Sequence, residues 1–168
     1  MHETIESLFR SEYPRLVRAL TLANGSEELA TEAVQDAFVQ ANRHWARIRD
    51  YEEPARWLRR VAVNRIADSR RRVRRRDAGI VRIGSDRRAR GADVVPAPDA
   101  IADGALVDLR AAVAELPERQ RLVVSLHYLA DLGVDEVADL LQISPGTVKS
   151  QLHDARRNLF RTLEVHDA

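Results

Sequence analysis

The chain has 168 residues, and its 27 basic residues, all arginine except Lys149, nearly cancel 26 acidic ones to leave a formal net charge of +1. That length suits one compact domain or two small ones, and the absence of cysteine excludes a disulfide framework and a thiolate metal site. No apolar stretch approaches the roughly 20 residues that cross a bilayer, and the first residues lack the apolar region of a secretory signal. A soluble cytoplasmic protein without membrane insertion is therefore expected.

Apolar residues recur at intervals of three and four rather than two, which predicts an all-α fold. Residues 79–104 hold four of the seven glycines and two of the six prolines and show no sustained helical period. They read as a flexible linker between two small helical domains, 1–78 and 105–168. In the first, Ser26 suits an N-cap with Glu27 and Glu28 in the first turn, opening a helix expected to run to about Ile48. Ala30, Val34, Phe38, Ala41, Trp45 and Ile48 form its apolar stripe, and Glu28, Glu32, Gln35, Asp36 and Arg43 lie opposite. Val39 interrupts that polar face, either as a stray exposed valine or as a partner-docking spot.

Pro54 suits the first turn of the next helix, expected to extend to about Arg76 with Leu58, Ala62, Ile66, Ser69 and Val73 inward. Trp57, Arg60, Asn64, Asp68, Arg71 and Arg75 fall on a different face. Ten arginines against one aspartate over 54–76 repel one another unless a polyanion neutralises them, and nucleic acid is the natural candidate.

In the second domain one helix is expected over about Ala105 to Glu115. Another opens at Pro117 with Leu122, Val123, Leu126 and Leu129 inward, and a short one covers Val134 to Leu141. A last helix is capped by Ser144, has Pro145 at its first position, and carries Val148, Leu152, Ala155, Leu159 and Leu163 on one stripe. Short helix, turn packed by Ile143 and capped second helix are the layout of a helix-turn-helix. Lys149, Ser150, His153 and Arg157 project from the opposite face with the reach to meet base edges and phosphates. Asp154 beside them can accept from a cytosine amino group or pair with Arg157 or Asn158.

Signatures of catalysis are absent from the sequence. There is no Gly-rich phosphate loop, no His-Glu-x-x-His and no G-x-S-x-G, and the five histidines are too scattered for a local metal pair. A non-enzymatic protein without metal or cofactor is expected.

EAVQDAFVQANRHW with PARWLRRVAVNRIADSRRR resembles the second conserved region of the extracytoplasmic-function (ECF) sigma factors of bacterial RNA polymerase. LPERQRLVVSLHYLADLGVDEVADLLQISPGTVKSQLHDARRNL resembles their fourth region, in the family's order and spacing. The resemblance implies that Gln35, Asp36 and Val39 dock on the β′ clamp helices of core polymerase, with the β flap as a further partner. It assigns Trp57, Arg60, Asn64, Arg71 and Arg75 to the minus-ten promoter element and its opening, with the loop Arg49 to Glu53 as the base-capturing loop. Trp57 either stacks on a base or wedges the core. Lys149, Ser150, His153 and Arg157 are assigned to the minus-thirty-five element. Asp154 and Gln151 depart from positions where many members carry basic residues. The linker, with Arg82, Arg87, Arg88 and Arg90, resembles the segment that threads toward the RNA exit path. An anti-sigma partner often restrains such proteins. The residues taken by themselves also suit a free-standing helix-turn-helix regulator whose first module senses or dimerises, or an arginine-rich RNA-binding adaptor.

Overall fold

A computed structural model describes residues 4–81 and 104–166, and among them every regular element is an α-helix. The expected linker falls almost wholly outside the described residues, with its four arginines.

The chain's first helix is one the periodicity did not flag. Helix α1 (Ile5–Asn24) opens with a reciprocal cap, in which the Ser7 amide donates to Thr4 Oγ1 at 3.1 Å and the Thr4 amide to Ser7 Oγ at 3.0 Å. It closes at Gly25, whose φ of 78° is left-handed and whose amide donates to the Thr21 carbonyl. Pro14 sits inside it on the exposed side, where water can take the carbonyl its ring leaves unpaired, while Leu8, Leu16 and Leu20 are fully buried. Burial of that leucine stripe sustains the helix across the proline.

Ser26 caps α2 (Glu27–Arg43) as expected, accepting from the Leu29 amide at 3.2 Å. The expected run to Ile48 is interrupted. His44 leaves helical geometry, with φ −111° and ψ 15°, and a separate turn α3 (Trp45–Ile48) follows. The break redirects the chain so that Ile48 is buried and Trp45 packs on the core.

Helix α4 (Pro54–Val81) begins at the expected proline and runs five residues past Arg76. Leu58, Ala62 and Ile66 are buried, but the expected inward stripe ends there, with Ser69 half-buried and Val73 46% exposed. Between Arg70 and Arg76 Val73 is the single apolar residue, and one valine among arginines cannot hold a helix face against a core. Helices α1, α2 and α4 pack mutually.

The second module comprises α5 (Gly104–Ala114), α6 (Glu118–Tyr128), α7 (Val134–Leu141) and α8 (Pro145–His166). Ser144 caps α8 by accepting from the Thr147 amide at 3.0 Å, and Val148, Leu152 and Ala155 are buried, with Leu159 and Leu163 half-buried. At the turn between α7 and α8 Gln142 is left-handed, φ 55°, its side-chain amide donating to the Asp139 carbonyl at 2.7 Å, and Ile143 packs on the core.

The modules are not separate bodies. Four consecutive residues of α6, Val123 to Leu126, are buried, which requires cover on two faces: α8 supplies one and α1 of the first module the other. α5 also touches α1, and α7 lies against α4.

Candidate nucleic-acid interface

Two exposed faces and one partly covered helix hold the residues singled out from the sequence. Gln35, Asp36 and Val39 share an exposed face of α2, where Val39 is 48% exposed. The Gln35 amide reaches Tyr13 Oη at a long 3.5 Å, and Asp36 lies 3.9 Å from Arg65 of α4. Beside Val39 a groove of about 410 Å³ runs between α1 and α2, lined by Ile5, Phe9, Phe38 and Val39. Phe9 is 45% exposed, yet it stacks on Tyr13 at 4.6 Å and meets Phe38 edge-on at 5.0 Å, so its ring is held in place. Phe9 and Ile5 were not expected at this face, because α1 itself was not; the Thr4 to Ser7 cap and Gly25 were the signals that could have revealed it.

Along α4, Asn64, Arg71 and Arg75 are exposed, and Arg71 makes a one-turn ion pair with Asp68 at 3.2 Å. Trp57 was placed outward by the periodicity, but it is half-buried and packs against the core. Arg60 is engaged from outside its own module, donating to Asp139 Oδ2 at 2.8 Å.

Arg60 is one of several. Arg56 also donates to Asp139, at 2.7 Å, and its guanidinium holds the Asp139 carboxyl below the usual carboxylate range, against the opposing effect of burial and with help from Arg60. Arg59 sits deepest. It donates through Nε and a terminal nitrogen to both oxygens of Glu12 at 2.8 Å, and its other nitrogen reaches Glu53 at 3.2 Å and Glu136 of α7 at 3.3 Å. Burial opposes the Arg59 charge, but the hydrogen bonds and fields of these three glutamates raise its pKa above the ordinary value. Glu136 meanwhile accepts from the Gly133 amide at 2.7 Å, fixing the start of α7. Farther along, Glu118 of α6 pairs with Arg70 at 2.7 Å and also with Arg74. Arg70 is lowered, chiefly by burial and further by Arg121 and Arg74, which Glu118 only partly offsets.

These pairings were missed in the sequence, although a signal existed. Residues 105–142 carry seven acids against three arginines, complementary to the ten arginines and one acid of 54–76. Charge totals show that two segments can attract, not which side chains meet.

On α8, Lys149, Ser150, His153 and Arg157 are all exposed on one face, opposite Val148 and Leu152. Asn158 donates to Gln120 at 2.9 Å instead of pairing with the half-buried Asp154. Arg156 donates to Tyr128 Oη at 2.7 Å and lies 5.9 Å from that ring's centre. Among the described residues no group of histidines or acids is arranged to hold a metal ion, and no helix is long and apolar enough to cross a membrane.

Residues 8–76 match the family described as Sigma-70 region 2, and residues 106–159 the family described as Sigma-70, region 4. It is 35% identical over 144 residues to the ECF RNA polymerase sigma factor SigL of Mycobacterium tuberculosis, covering 83% of this chain and 77% of that one. It is 29% identical over 159 residues to SigM of the same organism, covering 94% and 76%. Its fold is similar to that of the sigma factor RpoE from Bartonella quintana in complex with the anti-sigma factor NepR, with a TM-score of 0.75, 21% identity and coverage of 95% and 96%. It is also similar to CnrH in complex with the cytosolic domain of CnrY, with a TM-score of 0.63, 22% identity and coverage of 96% and 88%. The chain belongs to the family of ECF RNA polymerase sigma factors.

Proposed function

We propose that this sigma factor directs promoter-specific initiation as a non-enzymatic subunit in the cytoplasm, through one polymerase face and two nucleic-acid faces. The observation that carries the reading is the pairing, in one chain, of an arginine-dense helix with a capped helix-turn-helix whose donor face is bare of internal partners among the described residues.

In this reading 1–78 and 105–168 are the two functional units, with 79–104 between them. Gln35, Asp36 and Val39 dock on the β′ clamp helices, where an exposed valine ringed by polar groups gives a small apolar anchor with directional contacts. Arg71 and Arg75 hold the phosphates of the opened minus-ten strand, Asn64 reads a base edge, Arg60 joins them once free of Asp139, and the exposed part of Trp57 supports a base. Lys149, Ser150 and His153 read the minus-thirty-five major groove from the first turns of α8, where uncovered amides also favour phosphate, and Arg157 contacts the backbone. Residues 105–168 also meet the β flap. An anti-sigma protein is the natural restraint, a reading supported by the similar RpoE chain having been solved with the anti-sigma factor NepR.

The test is initiation by core polymerase from a promoter carrying both elements. Lys149→Ala is expected to lower output about tenfold, the scale of one good base contact. Arg71→Ala with Arg75→Ala lowers it on the same template. Unchanged output from either folded variant removes those residues from their assigned face.

A further inference from the structure

We propose that Asp154 is a specificity-determining residue of α8, accepting a hydrogen bond from the exocyclic amino group of one cytosine in the major groove of the minus-thirty-five element. This inference rests on the reading of α8 as the minus-thirty-five helix.

Nothing local accounts for an aspartate at this point. It is the tenth of the 22 residues of α8, too far from either end to cap the helix or answer its dipole, and aspartate is a poor residue for a helix interior. Pairing with a neighbour one turn away would offset that cost, but among the described residues no hydrogen bond or ion pair reaches its carboxylate. The neighbours are committed elsewhere. Asn158, one turn on, donates to Gln120 at 2.9 Å and accepts from Arg161 at 2.9 Å, so both ends of its amide are used. Arg156 donates twice to Tyr128 Oη, at 3.0 and 2.7 Å. Arg157 is exposed and makes no ion pair with Asp154. An unpaired acid in mid-helix breaks a local rule without a local gain, and such breaks concentrate where function requires the residue.

Its position says what it meets. Asp154 lies one turn past Ser150, about 6 Å along the axis and about 40° around it, and about 60° from Arg157. The ladder of Lys149, His153 and Arg157 and the shorter one of Ser150 and Asp154 therefore run side by side down the outer side of α8. From Lys149 to Arg157 three cations stand against this one acid, so the face still attracts phosphate while the carboxylate discriminates among bases. Guanine N7 and O6 and thymine O4 are acceptors and repel it. Adenine offers an amino group beside the acceptor N7, whereas cytosine presents its N4 amino group alone. Cytosine is thus the base that a short carboxylate selects.

The test is initiation by the full chain with core polymerase from a promoter library whose minus-thirty-five segment is randomised and whose transcripts carry a barcode for each template. The parent protein is expected to favour cytosine about tenfold at one position, the scale of one good base contact. Asp154→Ala is expected to lose that preference and to leave every other position unchanged. Asp154→Asn, of the same shape, is expected to move the preference at that position to adenine, since an amide matches adenine N6 and N7. A new preference cannot arise from misfolding, so this second variant guards the first.

A parent profile with no cytosine-favouring position, or the same profile from the parent and Asp154→Ala, overturns the proposal. So does a rise in output from all templates alike, which is how removal of an acid that only repels phosphate behaves. Lys149→Ala separates the two readings. If it alters no position of the randomised segment, the minus-thirty-five assignment of α8 fails; if it alters the profile while Asp154→Ala does not, the cytosine contact alone fails.

Discussion

Replacing Glu12 with methionine would strand the largely buried guanidinium of Arg59. The Glu12 and Arg59 side chains are 7% and 13% exposed, and both oxygens of the carboxylate accept from the guanidinium at 2.8 Å. Removing one partner of a buried pair costs about 3–5 kcal/mol, because the remaining charge keeps its desolvation penalty. Glu53 and Glu136 still reach one nitrogen of Arg59, so the cost falls at the lower end, about 3 kcal/mol. Removing both groups, as Glu12→Met with Arg59→Met, leaves no buried charge and should return stability to within about 1 kcal/mol of the parent. Both tryptophans, Trp45 and Trp57, lie in the first module, so their fluorescence during urea unfolding reports that module selectively. A single substitution costing under about 1 kcal/mol, or a double variant no more stable than the single, would refute the reasoning.

Asp36→Arg should lower affinity for core polymerase at least about tenfold, measured by fluorescence titration, because it reverses charge on an exposed face that is loosely tied to Arg65. Its unfolding free energy should change by no more than about 0.5 kcal/mol, as for an exposed site, and normal binding by the folded variant would refute the docking face. Because Arg56 lowers the Asp139 pKa, that pairing contributes fully above the ordinary aspartate range, about pH 4, and is lost as pH falls through the depressed value. The radius of gyration should therefore stay constant from about pH 8 to about pH 5, and expansion within that window would show that another group controls the contact.

Much of this fold was legible because local rules and tertiary packing agreed. Ser26, Ser144 and Pro54 start their helices as capping chemistry dictates, and α7 has its expected bounds because a short apolar period lies between Gly133 and a turn. The exposed positions Gln35, Asp36, Val39, Lys149, Ser150, His153 and Arg157 followed from the same periodicity. The break at His44 was illegible, since the apolar stripe continues through it, and α1 was hidden by a proline that burial overrides. The engagement of Arg60 was hidden for a different reason: its partner Asp139 lies 79 residues away, and side-chain pairing over such separations leaves no periodic trace.

The central claim is tested most directly by transcription in vitro with cognate core polymerase on fragmented genomic DNA, with and without the protein, and sequencing of transcript 5′ ends. Discrete starts that share two upstream elements and occur only when the protein is added are the predicted result. A folded protein that adds no starts to an active core would contradict the account.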